Sequence, residues 1–149
     1  LFRLDQTVNM HGEKTTELVL RKVADKVAAR AGLDLVDFSV YPNVDHHPAR
    51  YEYLFEFYHA DHAAIDLAEL SRITDEELRA GNYDVDYMTE DGTFAPATAR
   101  VLQDETNQLW RDMRVMHGKA PNQIKPVHIV DTEQKRRFFF ALIDGEIEG

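Results

Sequence analysis

The clearest pattern along the chain is helical and lies between Thr15 and Gly32. Leu20, Val23, Ala24, Val27, Ala28 and Ala31 recur at steps of three and four, the spacing of one helix face. Thr15 or Thr16 can cap its start, Glu17 suits the positive end of the helix dipole, and Gly32 suits a stop. Two alternating segments follow. Val36, Phe38 and Val40 alternate with Asp37 and Ser39; Tyr51, Tyr53, Phe55 and Phe57 alternate with Glu52, Leu54 and Glu56. A period of two predicts half-buried strands. The polar, proline-bounded link from Pro42 to Arg50 predicts that the two strands pair antiparallel.

Elsewhere the pattern is weaker. Phe2 to Met10 is extended in character, and His11-Gly12-Glu13 reads as a turn. Ala63 to Ala80 predicts a helix, with Thr74 placed to cap a second piece and Gly81-Asn82 to end it. Val85 to Met88 predicts a short strand, and Gly92-Thr93-Phe94 a turn. Ala95 to Leu109 predicts a helix. Trp110 to Met116 predicts a strand with Trp110, Asp112, Arg114 and Met116 on one face. His117 to Pro126 reads as a polar loop, Val127 to Val130 as a short strand, and Asp131 with Gln134 as a helix cap. The last helix carries Phe138, Phe139, Leu142 and Ile143. Phe138, Phe139 and Phe140 cannot all face one core, so one is expected to be exposed or to cover an interface. The element order predicts an α/β fold of the α+β sandwich kind, with helices packed on a small mixed β-sheet.

Composition narrows the functions. The 149 residues suit a single domain, 1–149. No apolar run approaches the roughly 20 residues of a membrane span, so no membrane partner is expected. The net charge of −10 argues against nucleic acid as a partner. The absence of cysteine excludes disulfides, thiolate zinc sites and cysteine nucleophiles, and fits a cytoplasmic protein. The opening Leu1-Phe2-Arg3-Leu4-Asp5, without an initiator Met, reads as the middle of a longer protein.

Candidate chemistry is sparse. There is neither a Walker-type phosphate loop nor a Gly-x-Ser-x-Gly elbow. His46 and His47 share a loop, and His59 and His62 have His-x-x-His spacing around Asp61. That second pair straddles a strand end and a helix start, so no metal site is expected. Lys14 and Lys125 each lie in a polar, glycine-containing loop. A positioned ammonium in such a loop can stabilise the negative charge that grows on a departing pyrophosphate.

The segment from Arg3 to Glu17 resembles the hinge of adenylate-forming ligases, in which an Arg-x-Asp opens the C-terminal domain. It is more similar to the acyl acid amido synthetases, the auxin- and jasmonate-conjugating family with bacterial relatives. That hinge reads Arg-x-Asn, then apolar residues, then Asp-Lys-Thr-x-Glu; here Arg3, Asp5, Lys14, Thr15 and Glu17 fall at the same spacing. A second resemblance runs through Gly118, Asn122, Gln123, Ile124 and Lys125, where the family has a Gly-rich loop and Gln-Tyr-Lys. The family continues with Pro-Arg; this chain has Pro126-Val127-His128, which leaves the Arg without a holder.

The resemblance implies a C-terminal lid domain of an ATP-dependent enzyme that joins a carboxylic acid to an amine or amino acid. Lys125 and Lys14 would be catalytic, Asp5 the hinge and Arg3 a nucleotide contact. Gly118, Asn122 and Gln123 would support the loop. ATP and Mg would be bound mainly by an N-terminal domain of the same chain, so 1–149 alone would not turn over. Two alternatives remain: a free-standing ferredoxin-like binding or oligomerisation module, and the lid of an acyl-CoA ligase.

Overall fold

A computed structural model describes residues 6–144. Helix α1, Glu17–Ala31, begins where the pattern requires. The Thr16 hydroxyl accepts the Val19 N–H, and Gly32 closes the helix at φ 71°, donating back to Ala28 and Ala29. Leu20, Val23, Ala24, Val27 and Ala28 are the buried stripe.

Two small antiparallel strands, β1 (Thr7–Val8) and β2 (Thr15–Thr16), precede α1 and bracket the turn between them. The main sheet has the order β3-β4-β5-β6. Strands β3 (Leu35–Asn43) and β4 (Arg50–Phe57) pair antiparallel, as their alternation and short link predict. Strand β5 (Thr98–Leu102) runs parallel to β4, and β6 (Ile143–Asp144) is antiparallel to β5. A parallel neighbour needs a crossover. Helices α2 (Leu67–Gly81) and α3 (Tyr83–Glu90) supply it. Helices α4 (Thr106–Met116) and α5 (Glu133–Ala141) complete the fold. It is the mixed α/β sandwich expected.

Strand β4 organises both layers of the core. Tyr51, Tyr53, Phe55 and Phe57 pack with the inner faces of α1 and α2. Their rings run in a stack, with centroids 5.4 Å apart for Tyr53–Phe55 and 5.5 Å for Phe55–Phe57. Burying one such ring contributes about 1.5–3 kcal/mol. On the opposite face, Leu54 joins Leu102, Trp110, Val127, Val130, Phe139 and Ile143. The strand is therefore buried on both sides, not half-buried. Glu52 and Glu56 are buried but satisfied: Glu52 accepts from Asn43 and Arg50, and Glu56 from the Asn107 side chain and the N–H groups of Glu105 and Asn107.

Several expectations are corrected. Residues 85–88 are helical, because the Asn82 side chain caps α3 through the N–H groups of Asp84 and Val85. The segment expected to be a helix from Ala95 contains β5. The strand expected at Trp110 to Met116 belongs to α4, which turns Trp110 inward and leaves Met116 exposed. Helix α2 runs unbroken through Thr74, whose hydroxyl donates to the Leu70 carbonyl. Residues 127–130 form a single parallel bridge, Val40 to Ile129, and not a full strand. The cap of α5 is Thr132, not Asp131. The helix stops at Ala141, so Ile143 falls in β6. None of Phe138, Phe139 and Phe140 is exposed; Phe139 is buried and the other two are partly covered.

Candidate functional site

The Lys14 loop is built around a buried carboxylate. Glu13 accepts the N–H groups of Met10 and His11 and the Tyr51 hydroxyl, at 2.7–3.0 Å. Thr15 shares a hydrogen bond of 2.7 Å with the same Tyr51 hydroxyl. Asn82, at the junction of α2 and α3, donates to the Thr15 hydroxyl and the Glu13 carbonyl. Burial pushes the Tyr51 phenol well above its ordinary pKa, so it remains a hydrogen-bond donor. Gly12 takes φ 95°, and its N–H donates to the Asn9 side chain. Lys14 itself adopts φ 46°. Between two buried neighbours that backbone turns its side chain outward, where it is exposed.

The Lys125 loop is different. Gly118 leaves α4 at φ 90°, and Pro121–Gln123 forms a single 3-10 turn. Asn122, Gln123 and Lys125 are exposed. Beyond Lys125 the chain becomes a strap along the outer edge of β3. Val40 N–H donates to the His128 carbonyl, Val130 N–H to the Val40 carbonyl, and the Ser39 hydroxyl to the Val127 carbonyl. Lys125 lines a cleft of about 760 Å³ with Asp37, Glu56, Asn107, Trp110 and Arg111. It also lines a smaller groove of about 330 Å³ with Gln6 and Gln123.

His128 joins the two motif segments. Its ring is buried and stacks on Phe38 at 4.5 Å, almost parallel. Nδ1 is 2.5 Å from a Glu17 carboxylate oxygen, 111 residues away in sequence, and Nε2 is 2.9 Å from Asp37. Burial lowers the imidazole pKa, but the hydrogen bonds to Asp37 and Glu17 outweigh it and hold it above the ordinary value. Gln6 adds a second tie: its side chain accepts the Ile129 N–H, and its carbonyl accepts the Glu17 N–H.

The geometry thus brings Glu17, Gln6, His128 and the Lys125 strap together, and leaves Lys14 lining neither of these two clefts. Arg3 and Asp5, the expected nucleotide contact and hinge, lie outside the described residues. Sequence reasoning missed Glu13, Asn82 and His128. For His128 a signal was present, a lone polar residue within Val127 to Val130. His59 and His62 do not converge. His62 turns to Asp144 at 2.5 Å and faces Asp104 at 3.3 Å, whereas His59 packs beside Tyr58. The His62 Nε2 makes no hydrogen bond among the described residues.

The GH3 family C-terminal domain matches residues 15–134, and the chain belongs to that family. Two solved structures resemble it. One is described as GH3.15 acyl acid amido synthetase, with a TM-score of 0.76 and 17% identity. The other is AtGH3.15 acyl acid amido synthetase in complex with 2,4-DB, with a TM-score of 0.77 and 16% identity. Each match covers 93% of this chain and 26% of the other, so the chain spans about a quarter of the length of those synthetases. At that identity the likeness is one of fold. No curated protein sequence matches significantly. No helix among the described residues is long and apolar enough to cross a membrane.

Proposed function

We propose that the chain is the mobile C-terminal domain of an ATP-dependent acyl acid amido synthetase, acting in the cytoplasm. One observation carries the reading beyond family membership. The start of α1, which follows the hinge-like segment, is hydrogen-bonded to the strap that carries the Gln123-Ile124-Lys125 motif. Hydrogen bonds therefore tie the residues that follow the proposed hinge to the strap next to the lysine that would be delivered.

In the proposed reaction, a substrate carboxylate attacks the α-phosphate of ATP. This forms an acyl-adenylate and expels pyrophosphate. The nitrogen of an amine or amino acid then attacks the acyl carbon, giving an amide and AMP. Lys125, exposed beside an open cleft, supplies positive charge to the phosphates when the domain closes over the N-terminal domain. Lys14, displayed outward by its loop, is the second cation. Two carboxylates of the Lys125 cleft, the part-buried Asp37 and the buried Glu56, are already engaged by His128 and Asn107. Magnesium binding is therefore assigned to the N-terminal domain. Asp5 would be the hinge and Arg3 the nucleotide contact. The family match favours this reading over a free-standing module, and the Gln-x-Lys motif favours an amine over a thiol acceptor.

The test is single-turnover kinetics in the full-length parent. Lys125→Ala should slow acyl-adenylate formation by about 10²–10³-fold with little change in ATP affinity, since a contact made in the transition state appears in the rate. Acyl transfer from preformed adenylate should suffer less. Lys26→Ala, on the exposed side of α1, is the control. Equal effects of the two substitutions on adenylation would defeat the assignment.

A further inference from the structure

We propose that His128 is a positioning residue: as an imidazolium held between Glu17 and Asp37, it fixes the Lys125 strap to the start of α1 and makes the placement of Lys125 depend on pH. The inference rests on the synthetase reading for the role of Lys125. The clamp itself does not depend on that reading.

The geometry demands two donors from one ring. A neutral imidazole has one N–H and one lone pair; only the protonated ring donates from both nitrogens. Here both nitrogens meet carboxylate oxygens, at 2.5 Å and 2.9 Å, on a ring that is 5% exposed. If the proton is lost, one part-buried carboxylate faces a bare lone pair on a buried ring, and attraction becomes repulsion. Burial makes that reversal costly.

The surroundings favour the cation. Glu17 comes from α1 and Asp37 from β3. Among the described residues an opposing charge comes from Arg21 of α1, 3.9 Å from Asp37, with its guanidinium 5.7 Å from the Phe38 ring centre. Arg21 is half exposed, whereas Asp37 is mostly covered, so water screens the repulsion more than the attraction. Gln6, which meets the neighbouring Ile129 N–H, is neutral.

With His128 the clamp becomes conditional. The folded-state pKa is raised, so the stabilisation is complete below the ordinary imidazole value of 6.5 and is lost as pH rises through the raised value. Lys125, three residues before His128 and exposed, is the part of the strap free to respond.

Two readouts on the full-length protein test this between about pH 6 and about pH 9. The first is hydrogen exchange of the 124–131 segment, corrected for the intrinsic pH dependence of exchange. Protection should be lost as the ring loses its proton. The second is single-turnover adenylation, expected to fall in the same window with little change in KM for ATP. His128→Gln should be as unprotected and slow at every pH as the wild type is at the alkaline end. His128→Arg should remain protected and flat across the range. If Arg does not fit beside Phe38, the wild-type series and His128→Gln still decide. Wild-type protection that does not vary with pH, or an unchanged pH profile in His128→Gln, overturns the clamp. Protection that responds while adenylation does not overturns the positioning role and leaves the synthetase reading intact. A parent that makes no acyl-adenylate at any pH overturns the synthetase reading, while hydrogen exchange still judges the clamp.

Discussion

Around Lys14 the backbone is tied at almost every step. Met10, His11 and Gly12 each donate to a neighbouring side chain, and Tyr51 and Asn82 anchor the turn to β4 and to the α2–α3 junction. Around Lys125 the ties are local. Gln123 and Ile124 bond back to Ala120 and Pro121, and Arg111 reaches the Pro121 carbonyl. Firm anchorage resumes only at Val127 and His128. Two exposed lysines in similar-looking loops thus have different freedom. One is displayed on a fixed support, and the other precedes, by two residues, the point where support begins. The first suits a charge that must always occupy one place on the domain. In the proposed synthetase the second would suit a charge that finds its place once the domain has moved.

The contrast can be broken most directly at Glu13. Glu13→Ala strands two backbone N–H groups and a buried phenol, and should cost about 3 kcal/mol in urea unfolding. A loss below about 1 kcal/mol would show that the Lys14 loop is not braced by that carboxylate. Tyr51→Phe removes one donor but keeps the ring packing, and should cost about 1 kcal/mol. The cost should be smaller in a Glu13→Ala background, because the two groups bond to each other. The smallest effects belong to the lysines. Lys14→Ala and Lys125→Ala should each change stability by under about 0.5 kcal/mol. A larger loss at Lys125 alone would place its side chain in the packing of the domain and end the contrast.

What could be read in the sequence depended on how far each residue's partner lies along the chain. Helix α1 announces itself because its stripe, its Thr16 cap and its Gly32 stop are all local. Strands β3 and β4 do so because a short link joins them. The glutamates of β4 looked like a solvent face, yet Glu56 is buried because Asn107, 51 residues on, brings α4 over it. In α4 the pattern was ambiguous. Trp110, Asp112, Arg114 and Met116 mimic a strand face, while Thr106, Trp110 and Met113 form the helical stripe that packing selects. Strand β5 is short and carries Ala99 and Arg100, which give little periodic signal. At the site, both lysine loops were visible as motifs. The supports were not, since Glu13 meets Tyr51 across 38 residues and His128 meets Glu17 across 111.

The strap beside β3 has a consequence for how this domain keeps to itself. Strand β3 lies at the end of the sheet, nine residues long, with β4 on one side only. An uncovered strand of that length offers a template on which another chain can build. The strap occupies that border, taking the Val40 N–H and giving the Val130 N–H to the Val40 carbonyl. Peeling it away would leave Val40 and its neighbours open to strand exchange between molecules. The segment that follows Lys125 therefore covers part of an edge open to aggregation, and variants that loosen it should be watched for self-association.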